Sequence, residues 1–177
     1  MGDAMSEVSD LRAEKDHFFR YTDMSPLMPE QRDTFTGLVY YPEDPAYDVT
    51  AEFEPFEDAR PVTLITSQGD AQQFFGIGKL HFTIDGDPQA LTLFQDEAGE
   101  SLFLPFTDAT SGSETYGAGR YVEVEGGGTA NGKTLIRIDF NKAYNPYCAY
   151  NEMWVCPIPP AENRLTAAIP AGEKTFE

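Results

Sequence analysis

The chain has 177 residues, of which 41% are hydrophobic and 13% aromatic, and its 30 acidic and 12 basic side chains give a net charge of −18. This length and apolar content predict a single globular domain over residues 1–177 and argue against a disordered chain. No run approaches the ~20 apolar residues of a membrane span, and no basic patch offers contacts for phosphates. We therefore expect neither a membrane nor a nucleic-acid partner.

The acidic residues are scattered along the chain rather than gathered in one tail. A scattered acidic excess is typical of a solvated surface adapted to high salt, as in halophiles. A surface that binds cations or a basic partner is the alternative, and it would require clustered acids. The N-terminus lacks a basic stretch followed by an apolar one, so we expect no secretory signal and a cytoplasmic location. Only five bases are lysines: Lys15, Lys79, Lys133, Lys142 and Lys174.

Helical periodicity is clearest in the N-terminal segment, residues 1–22. The apolar residues Val8, Leu11, Phe18 and Phe19 fall near one face of a helix, which predicts a short amphipathic helix over residues 8–20. We expect this helix to pack on or to flank a β core. A turn or a single helical turn follows, with Pro29 at a permitted first helical position.

From residue 35 onward the apolar period becomes two, which is typical of β-strands. Asp85-Gly86-Asp87 and Asn131-Gly132 are turn signals, the latter closing a loop over 126–132, and Gly76 and Gly78 indicate a bulge. With about 8–10 strands and no alternating long helices, we predict a mostly β fold, either an antiparallel β-barrel or a curled β-sandwich. The predicted strands are residues 37–41, 47–53, 62–66, 74–84, 90–95, 101–106, 121–125, 134–140 and 165–169.

The first candidate site is an irregular segment, residues 106–121, that interrupts the strand pattern. Gly117 and Gly119 relax the backbone just before Arg120, whose guanidinium suits bidentate binding of a carboxylate or phosphate. The alternative is a plain exposed turn, in which Arg120 pairs with an internal acid such as Asp139.

The second candidate site begins at Asp139, where a strand ends, and is dense in Asn and Tyr. Asn145-Pro146 predicts a cap followed by a helical turn over 146–150. Buried amides need partners, because an unpaired one costs about 1–3 kcal/mol. Asn141 and Asn145 therefore belong either to a self-satisfied hydrogen-bond network or to a set of ligand contacts.

Both cysteines, Cys148 and Cys156, lie in or just after this segment. Their spacing is not that of a zinc site, so we predict no metal and no cofactor. We expect reduced thiols, with a disulfide across the short loop as the alternative. Cys148 can be read as a nucleophile with His81 as its base, although an inert buried cysteine is the more common case.

Several motifs together resemble one known family. Gly117–Tyr121, Asp139–Tyr150, Cys156–Leu165 and Ala171–Lys174, joined by Arg12–Phe19 and Tyr40-Tyr41-Pro42, are similar to a family of uncharacterised prokaryotic proteins, the domain of unknown function 1684. The family has no assigned activity. The resemblance therefore implies one domain with a site around the central motif, and it does not distinguish an enzyme from a binding protein.

From these residues we predict a protein that binds a small polar, anionic ligand. The main alternative is an enzyme, such as a hydrolase that uses Cys148 or Asp139. A structural or partner-binding role, with the aromatic segment as core, is the third. The predicted ligand-binding residues are Tyr116, Arg120, Asp139, Asn141, Tyr144, Asn145 and Cys148.

Overall fold

The computed structural model describes residues 6–176, so residues 1–5 of the predicted N-terminal segment and residue 177 of the predicted domain lie outside it. Two helices come first, α1 (Glu7–Tyr21) and α2 (Pro29–Thr34). Neither they nor any other helix of the described chain is long and apolar enough to cross a membrane. The strands are β1 (Asp48–Ile65), β2 (Ala71–Ile84), β3 (Asp87–Asp96), β4 (Leu102–Phe103), β5 (Pro105–Phe106), β6 (Arg120–Tyr121), β7 (Val124–Ala130) and β8 (Lys133–Asp139).

The N-terminal helix α1 begins at a side-chain cap. Ser6 Oγ accepts a hydrogen bond from the backbone N–H of Ser9 at 3.0 Å, which satisfies one of the free amides of the first turn. Val8 and Phe19 are the buried residues of this helix. The predicted helix over 8–20 is confirmed, and Pro29 begins α2 as predicted.

Six strands form one curled antiparallel sheet in the order β4-β3-β2-β1-β8-β7, and β5 pairs with β6 in a second, two-stranded sheet. The predicted class, a mostly β antiparallel fold with a short N-terminal helix, is confirmed; the six-stranded sheet is a half-barrel. The main core contains Leu80 and Leu91 from the sheet, Phe106 from β5, and Phe140 from the chain just after β8.

Some predicted strand boundaries are wrong. Residues 48–53 and 62–65 belong to the single strand β1, whose register shifts between Pro55 and Arg60, while Tyr47 ends a 3-10 turn and Thr66 forms only an isolated bridge. Residues 165–169 form no strand, although Leu165 and Ile169 are buried. Residues 37–41 contribute only an isolated bridge from Tyr40 to Glu173. In these two segments, the apolar residues of loops cover the core. An apolar period of two in the sequence therefore does not distinguish such loops from strands.

The glycine predictions are confirmed in three of four places. Asp85 and Gly86, with φ values of +50° and +83°, form the predicted turn between β2 and β3. The β2–β3 ladder shifts register between Gly76 and Gly78, and Asn131 and Gly132 turn the β7–β8 hairpin with φ values of +53° and +77°. The predicted loop over 126–132 is wrong for residues 126–130, which belong to β7 and contain a second register shift between Gly126 and Gly128.

Candidate functional site

A cavity of about 550 Å³ lies between α1 and the segment 141–147, which follows β8. Phe18 and Phe19 on the helix and Tyr144 and Tyr147 on the segment supply aromatic walls. Three bases and three acids stand among them. These charged lining residues are Arg12, Lys15, Lys142, Glu14, Glu123 and Glu173.

Arg12 is the base with the least charge compensation. Its Nη1 donates to the carbonyl of Tyr41 at 2.9 Å and its Nη2 to the carbonyl of Asn141 at 3.3 Å, and the guanidinium lies 4.5 Å from the ring centre of Tyr40. Within residues 6–176, its Nε has no hydrogen-bond partner, and no carboxylate forms an ion pair with it. Burial lowers the pKa of Arg12, while the ring of Tyr40 and more distant acids oppose the shift. The cavity wall thus carries a half-buried cation that a bound anion would neutralise.

Glu173 is a buried carboxylate at the same cavity and is only 1% exposed. Its Oε2 accepts from Lys15 Nζ at 2.6 Å and from the backbone N–H of Asn145 at 3.0 Å, and its Oε1 accepts from the hydroxyl of Tyr150. Burial, with the charge of Glu173, raises the pKa of Tyr150 well above its usual value. Glu173 therefore ties α1 to the Asn/Tyr-rich segment, and Lys15 is its counter-ion.

Gly172 allows the neighbouring Glu173 to lie at the cavity. The residue has a φ of +81°, and a Cβ built on it would lie 2.6 Å from the carbonyl oxygen of Ala143. The next amide, of Glu173, donates to that same carbonyl at 3.0 Å. Only a residue without a side chain lets the C-terminal segment approach the turn after β8 so closely.

Asn141 and Asp139 form the self-satisfied network that was one of the two readings of the amide-rich segment. Asn141 Nδ2 donates to Asp139 Oδ1 at 2.9 Å and to the carbonyl of Asp44 at 2.8 Å, and its Oδ1 accepts from the N–H of Asp44 at 2.9 Å. Asp139 Oδ1 also accepts from the backbone N–H of Asn141. Asn141 lines the cavity while its amide is already occupied, so its role there is to hold the wall.

Tyr144 and Asn145 have different positions relative to the cavity. Tyr144 lines it, and its hydroxyl donates to Glu123 Oε1. Burial and this carboxylate raise the pKa of Tyr144, so the phenol stays protonated. Asn145 is buried behind the wall, where its Nδ2 donates to the carbonyl of Lys174 at 3.0 Å.

The predicted anion clamp Arg120 does not line this cavity, and it is 0% exposed. Its guanidinium donates to the backbone carbonyls of Ile169, Ala171 and Glu173. The acid nearest to it is Asp108, at 3.5 Å, rather than the predicted Asp139. Arg120 has a structural role, because it is fully buried away from the cavity and both of its terminal nitrogens donate to internal acceptors.

Tyr116 and Cys148 also lie apart from the cavity, at a second cluster. The Tyr116 hydroxyl and Cys148 Sγ are 3.7 Å apart, and neither residue lines the cavity. His81, the suggested base for Cys148, is hydrogen-bonded instead to Glu54 at 2.8 Å. In residues 6–176, no group of three or more His, Cys, Asp or Glu side chains could hold a metal ion. Of the predicted site residues, Asn141 and Tyr144 line the cavity, and Asp139 and Asn145 contact residues that do.

Comparison with known proteins identifies a family and a similar solved structure. The model of one family, described as a protein of unknown function, DUF1684, matches residues 33–174. The chain belongs to the DUF1684 family. It is also 41% identical to an uncharacterised protein from Haloarcula marismortui with a solution NMR structure, with a TM-score of 0.72 over 94% of this chain and 91% of the other. A search of curated proteins found no match.

The DUF1684 match begins after α1, yet α1 supplies Arg12 and Lys15 to the cavity. The DUF1684 region contributes the opposite wall, including Asn141, Tyr144 and Glu173. The cavity therefore exists only where the N-terminal helix packs on the DUF1684 region.

The predicted site residues do not include Arg12, Lys15 and Glu173, three charged residues that line the cavity. The sequence contains a signal for two of them, since Val8, Arg12, Lys15 and Phe19 recur at intervals of three or four and share one helix face. Such a face usually indicates core packing alone. Nothing in the sequence around Glu173 indicates burial, since Gly172 and Lys174 beside it are typical of an exposed turn.

Proposed function

We propose that this protein binds a small organic anion with an apolar body in the cavity between α1 and the segment 141–147. The observation that carries the proposal is Arg12, a half-buried cation in the cavity wall without a carboxylate partner in residues 6–176. Because the chain carries a charge of −18, a site for an anion needs such a local cation to offset the general repulsion. The ligand would place its carboxylate or phosphate at Arg12.

The remainder of the cavity suits an apolar body. Its volume of about 550 Å³ falls within the range of roughly 300–1,000 Å³ found for small-molecule sites. Phe18 and Tyr147, which are partly exposed, offer apolar surface that would bury an aromatic or aliphatic group of the ligand. Lys15 is already paired with Glu173, and Lys142 is paired with Glu7 and Glu125, so we assign the anion contact to Arg12.

The contacts of the candidate nucleophiles favour binding over hydrolysis. Cys148 lies outside the cavity, and the carboxylate of Asp139 is engaged by Asn141. The structural or partner-binding role, the single domain over 1–177, the cytoplasmic location and the expectation of no nucleic-acid partner stay predictions. We also propose that the acidic surface is an adaptation to high salt, supported by exposed acids such as Glu57, Asp58 and Glu97.

A thermal-shift screen of carboxylates and phosphates that carry aromatic or aliphatic groups tests the binding proposal. We expect such anions to raise the melting temperature, because a ligand that binds only the folded state stabilises it. Their uncharged amides or esters should have no effect. A hit is then measured by titration calorimetry against variants of Arg12.

Replacing Arg12 by Gln should weaken binding by at least about tenfold, because a charge-assisted hydrogen bond contributes about 1.5–3 kcal/mol. Arg12→Lys, which keeps the charge, should retain part of the affinity. The matched control is Arg164→Gln, since Arg164 is exposed and lies outside the cavity. Equal affinity in wild type and Arg12→Gln, or a screen without any anionic hit, would refute the assignment.

A further inference from the structure

The two cysteines form a contact pair at a distance from the cavity. The backbone N–H of Cys148 donates to Cys156 Sγ at 3.3 Å, which brings the two residues together. Both residues are free thiols and are 8% exposed. The Tyr116 hydroxyl completes the cluster, 3.7 Å from Cys148 Sγ. Neither the cavity nor the proposed anion site uses any of these side chains.

Each cysteine is held by its own backbone contacts. Cys148 lies inside the 3-10 turn Tyr147–Ala149 that precedes the exposed segment 152–155. Cys156 is anchored to the end of β1, where its N–H donates to Ser67 Oγ at 3.2 Å and its carbonyl accepts from the Ser67 N–H at 2.9 Å. Because both ends are anchored, the contact between the Cys148 backbone N–H and Cys156 Sγ does not depend on the conformation of the segment between them.

The surroundings of Cys148 favour its thiolate. The hydrogen bond from Cys156 lowers the pKa of Cys148 to about 6; burial opposes the shift, and Tyr116 and Ser67 support it. The same contact raises the pKa of Cys156, which keeps its proton. The other titratable groups around the pair are Tyr121 and Glu152. One thiol is thus poised as nucleophile while its neighbour remains a proton donor, the asymmetry that thiol oxidation chemistry requires.

We propose that Cys148 and Cys156 are a redox-active pair in which a hydroperoxide oxidises Cys148 and Cys156 resolves the product to an intramolecular disulfide. In the first step the Cys148 thiolate attacks a peroxide oxygen, an S–O bond forms, the O–O bond breaks, and the leaving alkoxide or hydroxide takes up a proton. In the second step Cys156 Sγ attacks the sulfenic sulfur, the S–O bond breaks, and the hydroxyl group leaves as water with the Cys156 proton. The hydroperoxide gains two electrons, and the two thiols lose them.

The geometry fits both steps. Hydrogen peroxide is little larger than water, so the slight exposure of Cys148 is sufficient for its entry, and the Tyr116 hydroxyl can donate a hydrogen bond to the thiolate before attack. Cys156 Sγ already lies 3.3 Å from the backbone nitrogen of Cys148, so forming the S–S bond requires an approach of two side chains whose backbones are in place. A sulfenic acid on Cys148 would therefore meet Cys156 before it met a second peroxide.

Peptide mapping after oxidation tests the proposal on the whole chain. The reduced protein receives one equivalent of hydrogen peroxide, is quenched with an alkylating agent and is digested for mass spectrometry. We expect loss of both free thiols and a disulfide between Cys148 and Cys156 of the same chain. Disulfides between chains, or no oxidation of either thiol, would overturn the proposal.

Single variants assign the roles. In Cys156→Ser, a sulfenic acid should persist on Cys148 and be captured by a dimedone probe; in Cys148→Ser, Cys156 should stay available for alkylation. Capture on Cys156 instead would reverse the roles and contradict the proposal. Circular dichroism of both variants confirms that they are folded.

The wild-type chain provides a test that needs no variant to fold. Its alkylation rate, measured across pH, should reach half its maximum near pH 6, the pKa of Cys148. An inflection near the ordinary thiol value of about 8.5 would show that Cys148 is not activated. Tyr116→Phe should move the inflection upward, because it removes a donor to the thiolate.

Discussion

The buried side chain of Arg120 holds the irregular C-terminal segment in place through hydrogen bonds. Its guanidinium reaches the carbonyls of Ile169, Ala171 and Glu173, three residues of an irregular segment without strand partners of its own. Burial lowers the pKa of Arg120, and the charge of Asp108 opposes the shift. Buried backbone carbonyls need hydrogen-bond donors. In this segment Arg120 supplies N–H donors that the backbone of a neighbouring strand would supply in a sheet.

Replacing Arg120 by Met should lower the free energy of unfolding by roughly 3–5 kcal/mol, because it leaves a buried carboxylate and several carbonyls without their donor. Urea unfolding followed by fluorescence measures this change. Arg164→Met is the matched control, since Arg164 is exposed, and it should leave the unfolding midpoint almost unchanged. Similar midpoints for the two variants would show that Arg120 does not hold the C-terminal segment.

At the scale of elements, the register shifts of the sheet allow its strands to curve. The β2–β3 ladder changes register between Gly76 and Gly78, and the β1–β2 ladder changes between Pro55 and Arg60 in the same region. A Cβ on Gly78 would lie 2.4 Å from the ring of Phe53 and 2.6 Å from the carbonyl oxygen of Glu54. The sequence predicted this bulge from its two glycines, but the close approach that requires Gly78 is visible only in the folded sheet.

Gly78→Ala should therefore destabilise the protein by about 1–3 kcal/mol through overpacking against β1. Gly76→Ala is the control on the same strand, since its Cβ would have no neighbour closer than 3.4 Å. Calorimetric melting compares the two. If Gly78→Ala were as stable as Gly76→Ala, β1 and β2 could move apart to admit the methyl group without lowering the free energy of unfolding. That result would contradict the packing described above.

At the scale of the whole molecule, the charge of −18 acts on every part of the fold. Ion pairs such as Lys133 with Glu52 compensate some acids, but Glu57, Asp58 and Glu97 are exposed and have no ion-pair partner in residues 6–176. Like charges at this density repel one another in the compact state more than in the unfolded one. Salt shortens the range of that repulsion.

The melting temperature should therefore rise when potassium chloride is increased from about 0.1 M to about 1 M, where the screening length falls from ~10 Å to ~3 Å. The triple variant Glu57→Gln, Asp58→Asn, Glu97→Gln should show a smaller rise, because less repulsion remains to be screened. Differential scanning calorimetry gives both values. A melting temperature that is independent of salt would contradict the proposed high-salt adaptation.

The sequence by itself determined the fold class, the N-terminal helix, the main hairpin and the family. These features depend on local periodicity, turn residues and motifs, and each of these is a property of a contiguous stretch of the sequence. It also singled out the Asn/Tyr-rich segment, because buried amides need partners, which Asn141 has in Asp139 and Asp44.

Only the tertiary structure decided which charged residues lie together at the cavity. Both Arg120 and Arg12 are single bases in segments that contain aromatic residues, yet Arg120 is buried among internal carbonyls and Arg12 lines a cavity. Glu173 joins Lys15 across a separation of 158 positions, and Cys148 meets Cys156 because β1 anchors the latter. A pairing between distant residues depends on chain topology and packing, which no local pattern specifies.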